Sequence, residues 1–207
     1  MIGRIIARQF RRPSGLLGRL IGNGMARENE AEAGWTIDLL KLEPDMRVLE
    51  VGFGPGVAIK YAAKRTPQGH VSGIDYSETM VQAARKRNAV AIRNGLVDLR
   101  QGDVSSLPYG DDEFDRAFTI HCIYFWTEPI ACLREIRRVL RTNGVLAITI
   151  LPKDKWPPGR TPPTDVFNLY SAGEVAHLLS EAGFQEAWVE DFPQSDKFPG
   201  KCILAVK

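Results

Sequence analysis

The sequence predicts an α/β fold, a mostly parallel sheet covered by helices, and three observations predict it. Short apolar runs alternate with stretches of helical period along the 207 residues, the pattern of consecutive strand–helix–strand units. The first such run, Val48-Leu49-Glu50-Val51, breaks into a glycine turn, Gly52-Phe53-Gly54-Pro55-Gly56. Two later runs end in polar signals of the same kind, one in Asp75 and one in Gly102-Asp103. In open α/β sheets such strand ends form the edge that holds ligands.

The elements follow in order. A helix is predicted over about 25–42, where Trp35, Ile37, Leu39 and Leu40 supply apolar positions before Pro44. The first strand covers about 46–51 and leads through the glycine turn into a helix over about 56–65. A second strand, about 71–75, precedes a helix over about 78–92, for which Ser77 is the better N-cap candidate. A third strand is predicted at about 97–101. After the polar turn Tyr109-Gly110-Asp111-Asp112-Glu113 comes a fourth, at about 114–120. A helix over about 128–140 and a fifth strand over about 144–150 flank the turn Thr142-Asn143-Gly144. The stretch from Leu151 to Asp165 carries five prolines together with Lys153, Lys155 and Arg160. It reads as a stiff, exposed connection, either a plain linker or a wall of the pocket beyond the fifth strand. Ser171 caps a last helix that Gly183 ends. Strands at about 185–191 and 201–206 are joined by a short loop and should pair antiparallel.

Composition narrows the function classes. A net charge of +2 is too small to argue for nucleic acid. Cys122, Cys132 and Cys202 are widely spaced, and no Cys/His spacing suits a metal. A reducing cytoplasm fits these thiols, and no apolar run reaches the roughly 18 residues of a membrane span. The N-terminal segment stands apart: from Met1 to Arg27 it has six arginines and no acid. Ile2, Ile5, Ile6 and Phe10, then Leu16, Leu17, Leu20 and Ile21, fall near helical spacing on either side of Pro13-Ser14-Gly15. Residues 1–34 are therefore read as a basic amphipathic extension of a domain over 35–207. It is either a lid or packing helix, or, through residues 1–22, a peripheral contact with the inner membrane surface.

The glycine turn carries the chemistry. Positive φ and the absence of Cβ let a ligand approach the backbone. The dinucleotide fingerprint G-x-G-x-x-G would place its third glycine at 57, whereas this chain has Gly56 followed by Val57. Glu50, two residues before the first glycine, would repel a pyrophosphate and would attract an ammonium. Asp75, roughly 20 residues further on, suits the two hydroxyls of a ribose. Asp103 could accept from an exocyclic adenine amine. Together these point to S-adenosylmethionine.

The pattern resembles the class I S-adenosylmethionine-dependent methyltransferases, in particular the small UbiE-like, methyltransferase-domain-11 type, well over about residues 35–150 and loosely beyond. The resemblance implies a three-layer, Rossmann-like sheet of seven strands in the order 3-2-1-4-5-7-6, with strand 7 antiparallel. It implies that Glu50, Gly52, Gly54 and Gly56 meet the methionine end, Asp75 the ribose, and Tyr76, Asp103 and Val104 the adenine. Ser77 and Thr119 join the same cofactor set. The acceptor, a small molecule or lipid, is expected beyond the fourth strand, near Thr119 to Trp126. There His121 is the best base candidate, its alternative role being to pack beside the cofactor and orient a loop. Tyr124, Phe125 and Trp126 could line a pocket, with ordinary packing favoured for Phe125. A monomer or a homodimer would fit. Two other readings compete: a nicotinamide-dependent oxidoreductase, disfavoured by Glu50, and a methyltransferase-like protein that binds S-adenosylmethionine without turnover.

Overall fold

The computed structural model describes residues 9, 11–15, 18, 20, 22, 24, 30–156, 162–193 and 199–207. The expectations for Ile2, Ile5, Ile6, Phe10, Leu16, Leu17 and Ile21, and for Pro157, Pro158 and Arg160, lie outside them. The elements are α1 (Glu30–Leu39), β1 (Arg47–Val51), α2 (Val57–Arg65), β2 (His70–Asp75), α3 (Glu78–Arg87), α4 (Ala89–Arg93) and β3 (Val97–Gln101). β4 (Phe114–Ile120), α5 (Pro129–Val139), β5 (Leu140–Ile150), α6 (Ala172–Glu181), β6 (Gln185–Asp191) and β7 (Lys201–Val206) follow, with short 3-10 turns at Ile123–Phe125 and Lys153–Lys155.

The strands form one sheet in the order β3-β2-β1-β4-β5-β7-β6. β1 to β5 are parallel, and β7 runs antiparallel between β5 and β6. This is the Rossmann-like order expected. Strand side chains alternate between the two faces. Leu146, Ile148 and Ile203 pack with Leu133 and Ile136 of α5 and with Val175 and Leu179 of α6. On the opposite face Val48, Val71, Phe118, Ala147 and Leu204 meet Ala33 and Ile37 of α1, Ile59 and Ala62 of α2, and Val81 and Ala84 of α3. Helices thus cover both faces, and the carboxyl ends of β1, β2 and β4 are left as one edge.

Two boundaries differ from expectation. The helix expected over about 78–92 is two helices, broken at Asn88. The buried Asn88 amide donates to the carbonyls of Gly56 and Ala84, both at 3.0 Å, tying the α3–α4 corner to the glycine turn. The fifth strand starts at Leu140, directly after α5, and not at 144. Leu140 pairs with Phe114 and Val145 with Arg116, so residues 141–144 are looped out of the ladder. Asn143, at φ 63°, supplies the left-handed residue such a bulge uses.

Candidate functional site

The site is built where β1, β2 and β4 end. β1 delivers Glu50, whose side chain is buried under the turn that follows. Its Oε2 has no hydrogen-bond partner among the described residues. Burial, and then the charge of Asp75, hold the Glu50 carboxyl well above the usual range, opposed by the Ile59 amide in the first turn of α2. A buried carboxylate oxygen without a partner is costly, and a cationic ligand group would relieve that cost.

The turn itself is left-handed at Gly52, Gly54 and Gly56, with φ of 73°, 50° and 76°. At Gly52 a Cβ would stand 2.3 Å from the Cys122 sulfur, so glycine is what lets the loop after β4 lie against the turn. At Gly54 a Cβ would meet nothing within 4 Å, so the backbone there faces open space.

The second strand end closes on the first. Asp75 Oδ2 accepts the Gly54 amide at 2.8 Å, and Oδ1 accepts the Ser77 amide at 2.8 Å. Each carboxylate oxygen retains a further lone pair for an incoming hydroxyl. Burial raises the Asp75 pKa to about 6, against the pull of the two amides. Ser77 caps α3 as expected, accepting from Met80 N–H at 3.3 Å, and its hydroxyl also donates to the Pro13 carbonyl at 2.5 Å. Tyr76 is 50% exposed, with the Arg12 guanidinium 4.6 Å above its ring. Arg11 donates to Thr127 beyond β4 at 3.5 Å. The described part of the N-terminal segment therefore crosses the edge from the end of β2 to the loop after β4.

The remaining expected residues divide. Asp103 is exposed, and its Oδ1 accepts from both the amide and the hydroxyl of Ser105, at 2.9 and 2.8 Å. It acts as a turn residue through Oδ1. Val104 is half-buried beside it and Thr119 is fully buried on β4. The aromatic run packs against the core, as favoured for Phe125. Tyr124 and Trp126 lie deeper, buried in the core, whereas Phe125 is half-buried, in an edge contact with Phe167 at 4.7 Å. The reason is the Tyr124 hydroxyl, which accepts Leu151 N–H at 2.6 Å and so draws its ring inward. Cys122 is no activated thiol: burial, then the charge of Asp75, pushes it up to about 12.

His121 sits just past β4 with φ 54°, and its amide donates to the Thr149 carbonyl at 2.9 Å. Its Nε2 meets Oε2 of Glu32, a buried carboxylate on α1. Its Nδ1 lies 3.3 Å from the Tyr124 hydroxyl. Glu32 was missed by sequence reasoning, because an acid in Glu30-Ala31-Glu32-Ala33 reads as a solvent face. The buried set Glu32, Ala33, Thr36, Ile37 is the face that α1 turns to the protein.

Comparison with known proteins bears on this arrangement. The methyltransferase domain family matches residues 49–148. The uncharacterized methyltransferase YdaC of Bacillus subtilis is 32% identical over 135 residues, 65% of this chain and 72% of YdaC. The chain belongs to the class I S-adenosylmethionine-dependent methyltransferases. A crystal structure of a SAM-dependent methyltransferase from Aquifex aeolicus, 26% identical, superposes with a TM-score of 0.71 over 86% of this chain and 91% of that one. The 2-methyl-6-phytyl-1,4-hydroquinone methyltransferase 1 of rice is 33% identical over 122 residues, but the chain spans only 36% of that enzyme's length. The methyltransferase assignment removes the oxidoreductase reading. The residues present fit S-adenosylmethionine: an orphaned Glu50 oxygen beneath a turn open at Gly54, with the Asp75 carboxylate alongside.

Proposed function

We propose that this methyltransferase acts on a small or lipophilic acceptor at the end of β4, with His121 taking up the acceptor's proton. The observation that carries the reading is the joining of three strand ends into one pocket edge. The Gly54 amide is bonded to Asp75, Gly52 lies against Cys122, and His121 stands between Cys122 and the end of β4.

S-adenosylmethionine supplies a methyl group on a sulfonium leaving group. The protein's task is to hold donor and acceptor in line and to dispose of a proton where the acceptor brings one. In this reading Glu50 holds the ammonium, and Gly52, Gly54 and Gly56 cradle the amino-acid end. Asp75 accepts from the ribose hydroxyls. Tyr76, Asp103 through its Oδ2, and Val104 frame the adenine, while Ser77 and Thr119 flank the pocket. The rice relative is named for a phytyl-bearing hydroquinone, which supports a lipophilic acceptor carrying a hydroxyl.

Of residues 1–34, the part ahead of α1 serves as a lid, since Glu32 and Ala33 are already buried on α1. The contacts of Arg11, Arg12 and Pro13 across the pocket edge support this. Leu20, 69% exposed among arginines, favours a second role in touching an anionic lipid surface. Among the described residues no helix is long and apolar enough to cross a membrane.

The test is incubation of the protein with methyl-labelled S-adenosylmethionine and separate pools of polar metabolites and extracted lipids. Label should move into a hydroxylated or amino compound with wild type and not with His121→Ala. Equal transfer by both proteins would remove His121 from the chemistry. Vesicles containing anionic lipid, offered to the full chain and to a form lacking residues 1–22, test the membrane role.

A further inference from the structure

We infer that Glu32 is a positioning residue that fixes His121 as its Nε2–H tautomer, making Nδ1 the proton-accepting atom and matching the site to acceptors that arrive with an O–H or N–H. The inference rests on the reading of His121 as the base.

Glu32 is buried, and its Oε2 is in hydrogen-bond contact with His121 Nε2. An ionised carboxylate can only accept. Two lone pairs facing each other away from water would be costly, so Nε2 must carry the proton. In the neutral ring the lone pair then falls on Nδ1. A histidine's second nitrogen is commonly set in this way by the partner of the first.

The pair is held from both sides by one residue. The Thr149 carbonyl accepts the His121 amide, and the Thr149 hydroxyl is 2.6 Å from the hydroxyl of Thr36, one helical turn beyond Glu32 on α1. Both threonines are fully buried. The helix carrying the carboxylate and the strand end carrying the imidazole are therefore registered against the same point of β5. His121 also keeps a left-handed φ of 54°, a conformation uncommon for any residue but glycine. At Nδ1 the Tyr124 hydroxyl, 3.3 Å away, has a single proton to share between the ring and the Leu151 carbonyl at 3.1 Å.

The consequence for substrate class is direct. A carboxylate acceptor arrives ionised and gains nothing from this pair. A hydroxyl must lose its proton as its oxygen bonds to the methyl carbon and the methyl–sulfur bond breaks with its electron pair kept by the sulfur. A neutral amine attacks through its lone pair and loses its proton once the new bond is made. That proton goes to Nδ1, the ring becomes an imidazolium beside the Glu32 carboxylate, and the proton later leaves to solvent. No other bond at His121 changes.

The experiment is a long-range 1H–15N correlation spectrum of the full chain with 15N-labelled histidine, recorded at about pH 8, above the ordinary imidazole range. His121→Gln identifies the His121 signals among the three histidines. The expected result is a ring protonated at Nε2 in wild type, and a loss of that preference, toward a mixture of tautomers, in Glu32→Ala. A wild-type ring protonated at Nδ1, or an unchanged tautomer in Glu32→Ala, would overturn the inference. Should Glu32→Ala fail to fold, the wild-type spectrum decides alone. An Nε2–H ring together with undiminished methyl transfer by His121→Gln would instead retire the reading of His121 as base, a different failure with a different readout.

Discussion

Asp75 at the end of β2 accepts the backbone amide of Gly54 at 2.8 Å across 21 residues of chain, so the acid and the glycine turn form one rigid unit. If that unit binds the ribose, Asp75→Ala should weaken S-adenosylmethionine binding tenfold or more, about 1.4 kcal/mol or above. Isothermal calorimetry measures this, and an unchanged dissociation constant would detach Asp75 from the ribose.

The same carboxyl predicts a pH dependence. Folded without ligand, Asp75 titrates near 6 against an ordinary 3.8, because burial disfavours its charge. The folded protein therefore binds the extra proton between those values, and this group's contribution to stability falls as pH rises through about 4–6. If Asp75 meets the ribose, ligand binding has the opposite sign, since hydroxyls donate to the ionised carboxylate. S-adenosylmethionine should bind more tightly at pH 7.5 than at pH 5, with proton release seen as buffer-dependent heats of binding. Equal affinity at both pH values would contradict it.

Gly52→Ala tests the seam between the turn and the loop after β4. The new Cβ would lie 2.3 Å from Cys122 Sγ, at φ 73°. Left-handed strain of about 1–2 kcal/mol adds to about 1–3 kcal/mol of overpacking. Adding Cys122→Ala should recover only part of the second, because the Cβ at 122 remains 2.8 Å away, and should leave the first. Urea unfolding separates the two, and full recovery in the double variant would show that the backbone conformation costs nothing.

The Thr36–Thr149 pair offers a double-mutant cycle. Thr149→Val alone strands a buried hydroxyl and should cost about 1–3 kcal/mol, whereas replacing both threonines by valine should cost less than the sum of the single changes. Additive losses would indicate that the 2.6 Å contact is not a stabilising bond.

Removing residues 1–22 should speed dissociation of S-adenosylhomocysteine several-fold while leaving the melting temperature within a few degrees, as expected of a lid. Stopped-flow displacement reports the rate. An unchanged rate would leave Arg12 on Tyr76 as a surface contact.

Much of the fold around the glycine turn was legible in the sequence. The apolar strands, the glycines at 52, 54 and 56, Asp75 and the Ser77 cap are local signals read over a few neighbours, and the sheet order follows from the family they resemble. What was not legible depends on distant partners. Asn88 looks like an ordinary helix residue until the Gly56 carbonyl is placed beside it. The start of β5 at Leu140 depends on its pairing with Phe114. The burial of Tyr124 depends on Leu151, and the role of Glu32 depends on a histidine 89 positions away.

That separation in sequence sets an order of assembly. The Gly54–Asp75 bond closes a short loop, whereas the Glu32–His121 pair spans 89 residues and the threonine contact that seats its helix spans 113. Long loops are dearer in chain entropy and form later on average. During synthesis the Gly54–Asp75 corner can exist once β3 has emerged; α1 can already pack on α2 through pairs such as Arg65–Asp38, but it gains its threonine contact only when β5 is made. The Glu32–His121 pair is thus fully seated after the Gly54–Asp75 corner.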